Sequence, residues 1–362
     1  MGNKQVKRIT FVLGGTGGHI YPALSIAEII KKMIDVKFNF IISTELARKI
    51  DKTYKYKPTK IICGGIVRKN IFTKIINFIK NGIGFFQSLW ILIKNRPKIL
   101  VATGSYISVP VSVAAKILFI PCVVLEQNIV PGVATRIVSK LSKFIFVSFE
   151  ETKRYFKENK VKVLGNPIRK IENIPDKEKI RQKYNLTSKF TILIFGGSQG
   201  SSVINDLIMF SLPFFRLEKI QIIWITGEKE YEKIKEKVSK FPQIYVASYI
   251  ENIYELYTIV DLVICRAGAS TIAELIAFQL PSIIIPIPKS SYNHQLENAK
   301  WLERKGATIV FEEEKITPTV LIETINDLMD NPDELKSMKE ACKNIYIPNS
   351  AENIANEIIK LC

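Results

Sequence analysis

Two stretches of this chain share one grammar. FVLGGTGGH at 11–19 and LIFGGSQGS at 193–201 each run from an apolar strand through a glycine loop into a helix. Without Cβ atoms in the way, the N–H groups of such a loop can approach a ligand, and the following helix presents its positive end there. The device occurs at equivalent places, so the chain is expected to consist of two similar α/β halves. Its 362 residues fit about two domains of ~150 residues.

The pattern between the loops supports this. Near-continuous apolar runs at Ile9–Leu13, Phe38–Ile42, Ile61–Cys63, Ile99–Ala102, Cys122–Leu125 and Phe144–Val147 alternate with helical stretches such as Ala23–Lys32 and Ile107–Leu118. The second half repeats the scheme at Thr191–Phe195, Gln221–Thr226, Ile244–Ala247, Leu262–Cys265, Ser282–Ile287 and Thr308–Phe311. Strands of this kind belong to parallel sheets covered on both faces. The predicted fold class is α/β, with two Rossmann-like parallel-sheet domains facing across a cleft. Their expected spans are 1–164 and 165–348, and a helix within 349–362 packs back toward the first domain.

The densest polar chemistry lies between Arg266 and Ala299. An apolar strand ends in Arg266-Ala267-Gly268, and Ser270-Thr271-Ile272-Ala273-Glu274 opens a helix. A second strand, closed by Pro286 and Pro288, leads to His294-Gln295. Ligands of open α/β sheets bind outside the carboxyl ends of the strands. There a carboxylate suits ribose hydroxyls and a helix N-terminus suits phosphate, the grip of a nucleotide sugar.

Other chemistries fit less well. A dinucleotide fingerprint needs Gly at its first, third and sixth positions. Counting from Gly15 puts Ile20 at the last, and counting from Gly14 puts Thr16 and His19 in the way. Neither loop is followed by a P-loop lysine, and both remain readable as plain tight turns. The two histidines, His19 and His294, fall one per half in candidate ligand loops, although isolated histidines are commonly structural. Neither has a metal-ligand neighbour at helical spacing and no Asp-x-Asp occurs, so no metal and no cofactor are expected. Five scattered cysteines, Cys63, Cys122, Cys265, Cys342 and Cys362, fit a reduced compartment. The basic start has too short an apolar stretch for a signal peptide, and no apolar run is long enough to predict a spanning helix.

The net charge of +18 is unevenly placed, with no Asp or Glu from Lys52 to Leu125 and twelve basic residues in that span. Such a block implies an anionic partner. Within it, 68–96 mixes Lys and Arg with Phe85, Phe86, Trp90 and many Ile. It reads either as a core helix with a basic face or as a patch for anionic lipid. Gly82 and Gly84 divide it into two expected shorter helices.

Several motifs are similar, in order and spacing, to those of the MurG family of peptidoglycan N-acetylglucosaminyltransferases. They are GGTGGHIYPALSIA at 14–27, EQN at 126–128, GNPIR at 165–169, GGSQGS at 196–201, RAGASTIAE at 266–274 and HQLENA at 294–299. The resemblance implies a GT-B fold and inverting transfer of GlcNAc from UDP-GlcNAc to lipid I, the undecaprenyl-diphospho-muramoylpentapeptide, giving lipid II. By matching position, Thr16, Gly17, Gly18 and Asn128 touch the donor from the first half. Arg169, Ser198, Ile250, Ala269, Ser270, Thr271, Ile272, Ala273, Glu274 and Gln295 touch it from the second. Glu274 takes the ribose hydroxyls, Ile250 lines the uracil pocket, Asn128 and Gln295 read the sugar, and Ser198 and Ser270 flank the diphosphate. His19, then Glu126, are the candidates for the base. Gly104, Ser105 and Tyr106 belong to an acceptor loop in which Ala102 and Ser105 stand where the family has glycines. The resemblance also implies a peripheral protein at the cytoplasmic face of the cell membrane. No nucleic-acid partner is expected, because the aromatic residues lie in an apolar helix pattern rather than on a sheet or basic loop. A UDP-GlcNAc 2-epimerase and a diacylglycerol glycosyltransferase of similar shape are the rival readings.

Overall fold

In a computed structural model of the chain, residues 6–14, 17–47, 57–65, 70–169, 174–197, 199–288 and 293–362 are described. They form two compact units, 1–169 with 347–362, and 170–346.

The first unit begins with β1 (Lys7–Val12), α1 (Gly17–Met33), β2 (Val36–Ser43), α2 (Thr44–Ala47) and β3 (Thr59–Ile61). It continues through α3 (Ile71–Asn95), β4 (Ile99–Ala102), α4 (Ser108–Ile117) and β5 (Cys122–Glu126). It ends with α5 (Val133–Leu141), β6 (Phe144–Val147) and β7 (Val161–Val163). The strands form one sheet in the order β3-β2-β1-β4-β5-β6-β7, every pair parallel. Side chains alternate between its faces. Ile9 and Phe11 join the core under α1, whereas Val12, Ile41 and Leu100 join the core under α3 and α4.

The second unit holds α6 (Lys177–Lys183), β8 (Phe190–Phe195), α7 (Ser202–Ser211), β9 (Ile220–Ile225), α8 (Tyr231–Val238) and β10 (Ile244–Ala247). After these come α9 (Ile253–Tyr257), β11 (Leu262–Cys265), α10 (Ala269–Ala277), β12 (Ser282–Ile284) and α11 (His294–Arg304). β13 (Thr308–Val310), α12 (Pro318–Asp330) and α13 (Pro332–Ile345) complete it. The sheet order is β10-β9-β8-β11-β12-β13, again all parallel. A final helix, α14 (Ser350–Lys360), returns to the first unit and packs on α1. There Ile354, Ala355 and Ile358 complete the α1 core, and Glu357 pairs with Lys162 and Lys360.

Four details differ from the sequence reading. β7, a short half-buried strand, was not anticipated. β12 stops at Ile284 because Pro286 and Pro288 have no N–H to donate. The GNPIR segment stays with the first unit: a Cβ on Gly165 would lie 2.2 Å from Ser350 Oγ, so only glycine lets α14 approach. Finally, the expected pair of helices around Gly82 and Gly84 is one helix, α3. Asn70 caps it by accepting from Thr73 N, and Gly84 is needed because a Cβ there would sit 2.3 Å from Ile62 O.

α3 is also built inside-out. Its buried face carries Asn77, Gly84, Ser88, Ile91 and Leu92, and its exposed face carries Ile71, Phe72, Ile75, Phe78, Phe86 and Trp90. Amides tie the buried face to the loop after β3. Asn81 Oδ1 accepts from Gly64 N (3.0 Å), and Asn81 Nδ2 donates to Gly64 O (3.1 Å). Asn77 Nδ2 donates to Gly65 O (2.6 Å), and Ile62 N donates to Gln87 Oε1 (2.8 Å). By length and composition α3 could cross a membrane, which the sequence reading did not expect, but it lies packed against α4 and β3.

Candidate active site

Strand order determines where a ligand can enter. Each sheet winds outward from its first strand in one direction and then reverses. The two reversals fall between β1 and β4 and between β8 and β11. At such a switch point the connections leave on opposite faces, and a crevice opens outside the carboxyl ends of the two strands. All the glycine loops singled out from the sequence leave these four strands.

In the first unit the loops after β1 and β4 interlock. A Cβ on Gly14 would stand 1.5 Å from Ser105 Oγ, and Thr103 bonds Val12 O through both N and Oγ1. Gly104 has φ +79°, and a Cβ there would meet Thr135 Oγ1 at 2.5 Å. Ser105 Oγ is buried and without a partner among the described residues, so its side chain packs the loops together. Tyr106 donates to Ser43 Oγ (3.3 Å), and burial raises its phenol above the ordinary range.

Next along this edge is the turn after β5. The carboxylate of Glu126, 3% exposed, accepts from Asn128 N (2.9 Å), Asn128 Nδ2 (3.0 Å) and Gly132 N (3.3 Å). It organises the turn and holds the Asn128 side chain. His19, in the first turn of α1, places Nδ1 3.2 Å from Gln127 Oε1. Arg169 lies with its guanidinium 3.9 Å over the Tyr21 ring and, with the whole GNPIR segment, belongs to the first unit rather than the second.

In the second unit the turn after β8 is glycine by necessity. Gly197 and Gly200 have φ +94° and +75°, and a Cβ on Gly200 would be 2.2 Å from Thr226 O. Ser201 caps α7 by accepting from Ile204 N and also accepts from Arg266 Nη2 (2.7 Å). Arg266, 7% exposed, donates to Ile285 O (3.0 Å) and pairs with Glu313 (2.5 Å). One buried guanidinium thus ties together the ends of β8, β11 and β12. Asn298 adds a bond from α11 to Ala267 O (3.3 Å).

α10 starts beside this knot. Its N-cap, Gly268, offers no side-chain bond, and the first backbone bond of the helix runs from Ile272 N to Gly268 O. Ser270 Oγ, at the same end, is buried and without a partner among the described residues. A positive helix end with an orphan hydroxyl matches a phosphate oxygen. One turn on, Glu274 accepts from Tyr254 (3.1 Å) and Tyr257 (3.0 Å), one phenol on each oxygen. Burial, and then the Glu274 charge, push Tyr257 well above the usual tyrosine range, so it remains a donor. A carboxylate oxygen can accept more than one hydrogen bond, so a carboxylate held by two phenols is chemically suited to a diol.

Comparison with known proteins fits this construction. The glycosyltransferase family 28 N-terminal domain matches residues 9–147, and the C-terminal domain of that family matches 191–358. A protein of Halothermothrix orenii named UDP-N-acetylglucosamine–N-acetylmuramyl-(pentapeptide) pyrophosphoryl-undecaprenol N-acetylglucosamine transferase is 35% identical over 97% of this chain and 98% of its own length. The chain belongs to the MurG branch of glycosyltransferase family 28. MurG of Acinetobacter baumannii superposes with a TM-score of 0.76, at 25% identity over 98% of this chain and 99% of that one. The rival epimerase reading has a fold-level counterpart. UDP-GlcNAc 2-epimerase from Neisseria meningitidis gives a TM-score of 0.68 at 16% identity over 98% of this chain and all of that one, a likeness of fold alone.

Of the residues carried over from the MurG pattern, Thr16 and Ser198 lie outside the described residues, as do Lys52, Lys55, Arg68 and Lys69 of the basic run. Gly17 and Gly18 open α1. Ile250 is half-buried just beyond β10. Ala269, Ser270, Thr271 and Ala273 are half-buried on α10, whereas the Ile272 side chain is wholly buried, so only its backbone can face a ligand. Gln295 accepts from Ile287 N (3.1 Å), which turns its amide toward the end of β12. The sequence reading gave no role to Gln127, Arg266, Tyr254, Tyr257 or Asn298. Arg266 did carry a signal: it directly follows four apolar strand residues, and an arginine buried at such a place is paired.

Proposed function

We propose that the chain transfers N-acetylglucosamine from UDP-GlcNAc to the lipid-linked muramoyl-pentapeptide of lipid I, forming lipid II. The near full-length identity to transferases of that name carries this reading. The switch-point geometry supports the roles. In the second unit, Glu274 with its two phenols takes the ribose diol, Ile250 lines the base pocket, and the α10 start with Ser270 takes phosphate. Gln295 reads the sugar. In the first unit, His19 and Asn128 serve the reacting end, and the Gly104–Tyr106 loop serves the acceptor.

The chemistry is a single displacement with inversion. The acceptor hydroxyl oxygen bonds to the anomeric carbon as the bond from that carbon to the diphosphate oxygen breaks. The hydroxyl proton passes to His19, and the electron pair leaves with UDP. Positive potential at the leaving group comes from the α10 N-terminus, without a metal. Glu126 is the poorer base, because its carboxylate is already occupied by three N–H groups.

Lipid I resides in a membrane, and α3 fits attachment at the cytoplasmic face. Phe72, Phe78, Phe86 and Trp90 are 63–75% exposed, beside Lys74, Lys80 and Lys94. Apolar side chains flanked by lysines insert at an anionic lipid surface. Two measurements test the reaction. The product's anomeric configuration, read by NMR coupling, should be opposite to that of the donor; retention rules out one displacement. His19→Ala should lower kcat by about a hundredfold or more while UDP affinity holds. Unchanged turnover would remove His19 from the chemistry.

A further inference from the structure

An imidazole accepts a proton only through a nitrogen that carries no hydrogen, and the partner of its other nitrogen decides which one that is. His19 Nδ1 stands 3.2 Å from Gln127 Oε1. An amide oxygen can only accept, so the hydrogen belongs on Nδ1 and the lone pair on Nε2. We propose that Gln127 is a positioning residue that locks His19 in the Nδ1–H tautomer, leaving Nε2 to take the acceptor's proton. This rests on the reading of His19 as the base.

Gln127 suits that task. It is 3% exposed, so water does not compete for its oxygen. The backbone on either side is fixed, since Ser148 N and Oγ both donate to Glu126 O and the Glu126 carboxylate holds Asn128. Its amide nitrogen is buried with no hydrogen-bond partner among the described residues. An unpaired buried donor costs stability, so the bond that orients this amide is the one its oxygen makes with His19. The reversed amide would present NH2 to Nδ1 and shift the hydrogen to Nε2. The tautomer itself therefore reports which arrangement holds.

The chain has only two histidines, so ring-15N-labelled full-length protein gives two imidazole patterns, assigned with His19→Gln. At a pH where the rings are neutral, His19 should show a protonated Nδ1 and a bare Nε2. Gln127→Met, of similar volume, should move the hydrogen to Nε2. It should also lower kcat about tenfold to a hundredfold with KM for UDP-GlcNAc kept. Gln127→Glu retains an acceptor oxygen and should restore the Nδ1–H pattern and most of kcat. An Nε2–H tautomer in the natural protein, or the same tautomer in Gln127→Met, overturns the proposal. If His19→Ala transfers sugar at the natural rate, the base assignment falls instead, and the tautomer spectra still decide what Gln127 does.

Discussion

Glu126 separates two roles that a buried carboxylate can have. If it organises the turn after β5, Glu126→Gln turns an acceptor-only group into one that sets NH2 against backbone N–H. Stability should then drop by about 1–3 kcal/mol, seen as a lower denaturant midpoint with an unchanged slope. If it were the base, the same change would abolish turnover and leave stability alone. The phenols on Glu274 give a second residue-level expectation. Tyr257→Phe should raise KM for UDP-GlcNAc several-fold with kcat nearly unchanged, because a bond worth about 1 kcal/mol steers the carboxylate without touching the sugar. An unaltered KM would place the ribose elsewhere. These contacts were hidden in the sequence because each joins side chains from different elements. Glu274 was legible as a carboxylate at a helix start, whereas Tyr254 and Tyr257, twenty and seventeen positions earlier, lie on another helix.

At the scale of elements, the glycine loops were legible because their constraint is local. Gly200 adopts φ +75°, and Thr226 O fills the place a Cβ would take. Gly200→Ala should therefore cost about 1–3 kcal/mol and weaken UDP binding. α3 was misread for the complementary reason. Its glycines looked like breaks, but Gly84 admits the Ile62 carbonyl, and its amides face inward to the loop after β3. A sequence pattern records where the apolar face is, not which side the protein turns toward solvent. Asn81→Leu should speed hydrogen exchange at Gly64 and leave the rest of the first sheet protected; unchanged exchange would mean that the amide does not hold the loop. α14 responds to acid. Lys162, then Lys360, hold the Glu357 carboxyl below the ordinary glutamate range. Its stabilisation is complete above the unfolded-state value near pH 4.3 and is lost as pH falls through the lower folded value. The natural protein should lose more stability than Glu357→Gln on acidification, by up to about 1 kcal/mol for a pair still reached by solvent. Equal losses would exclude the pair as a contributor.

For the molecule as a whole, sheet order places a switch point in each unit, and α3 gives the first unit an exposed apolar face, the side we propose meets lipid. Strand order could not be read from the sequence, since nearly continuous apolar strands look alike wherever they pair. Phe78→Glu with Phe86→Glu should reduce co-sedimentation with anionic vesicles at least tenfold, and added salt should weaken what binding remains. Activity on a water-soluble acceptor should be spared. The most direct measurement incubates purified protein with radiolabelled UDP-GlcNAc and a lipid I analogue. Label should appear in the lipid product only when both are present, and Glu274→Ala should largely abolish it. Label recovered as the 2-epimer or as free sugar, with none on the lipid, would contradict the assignment.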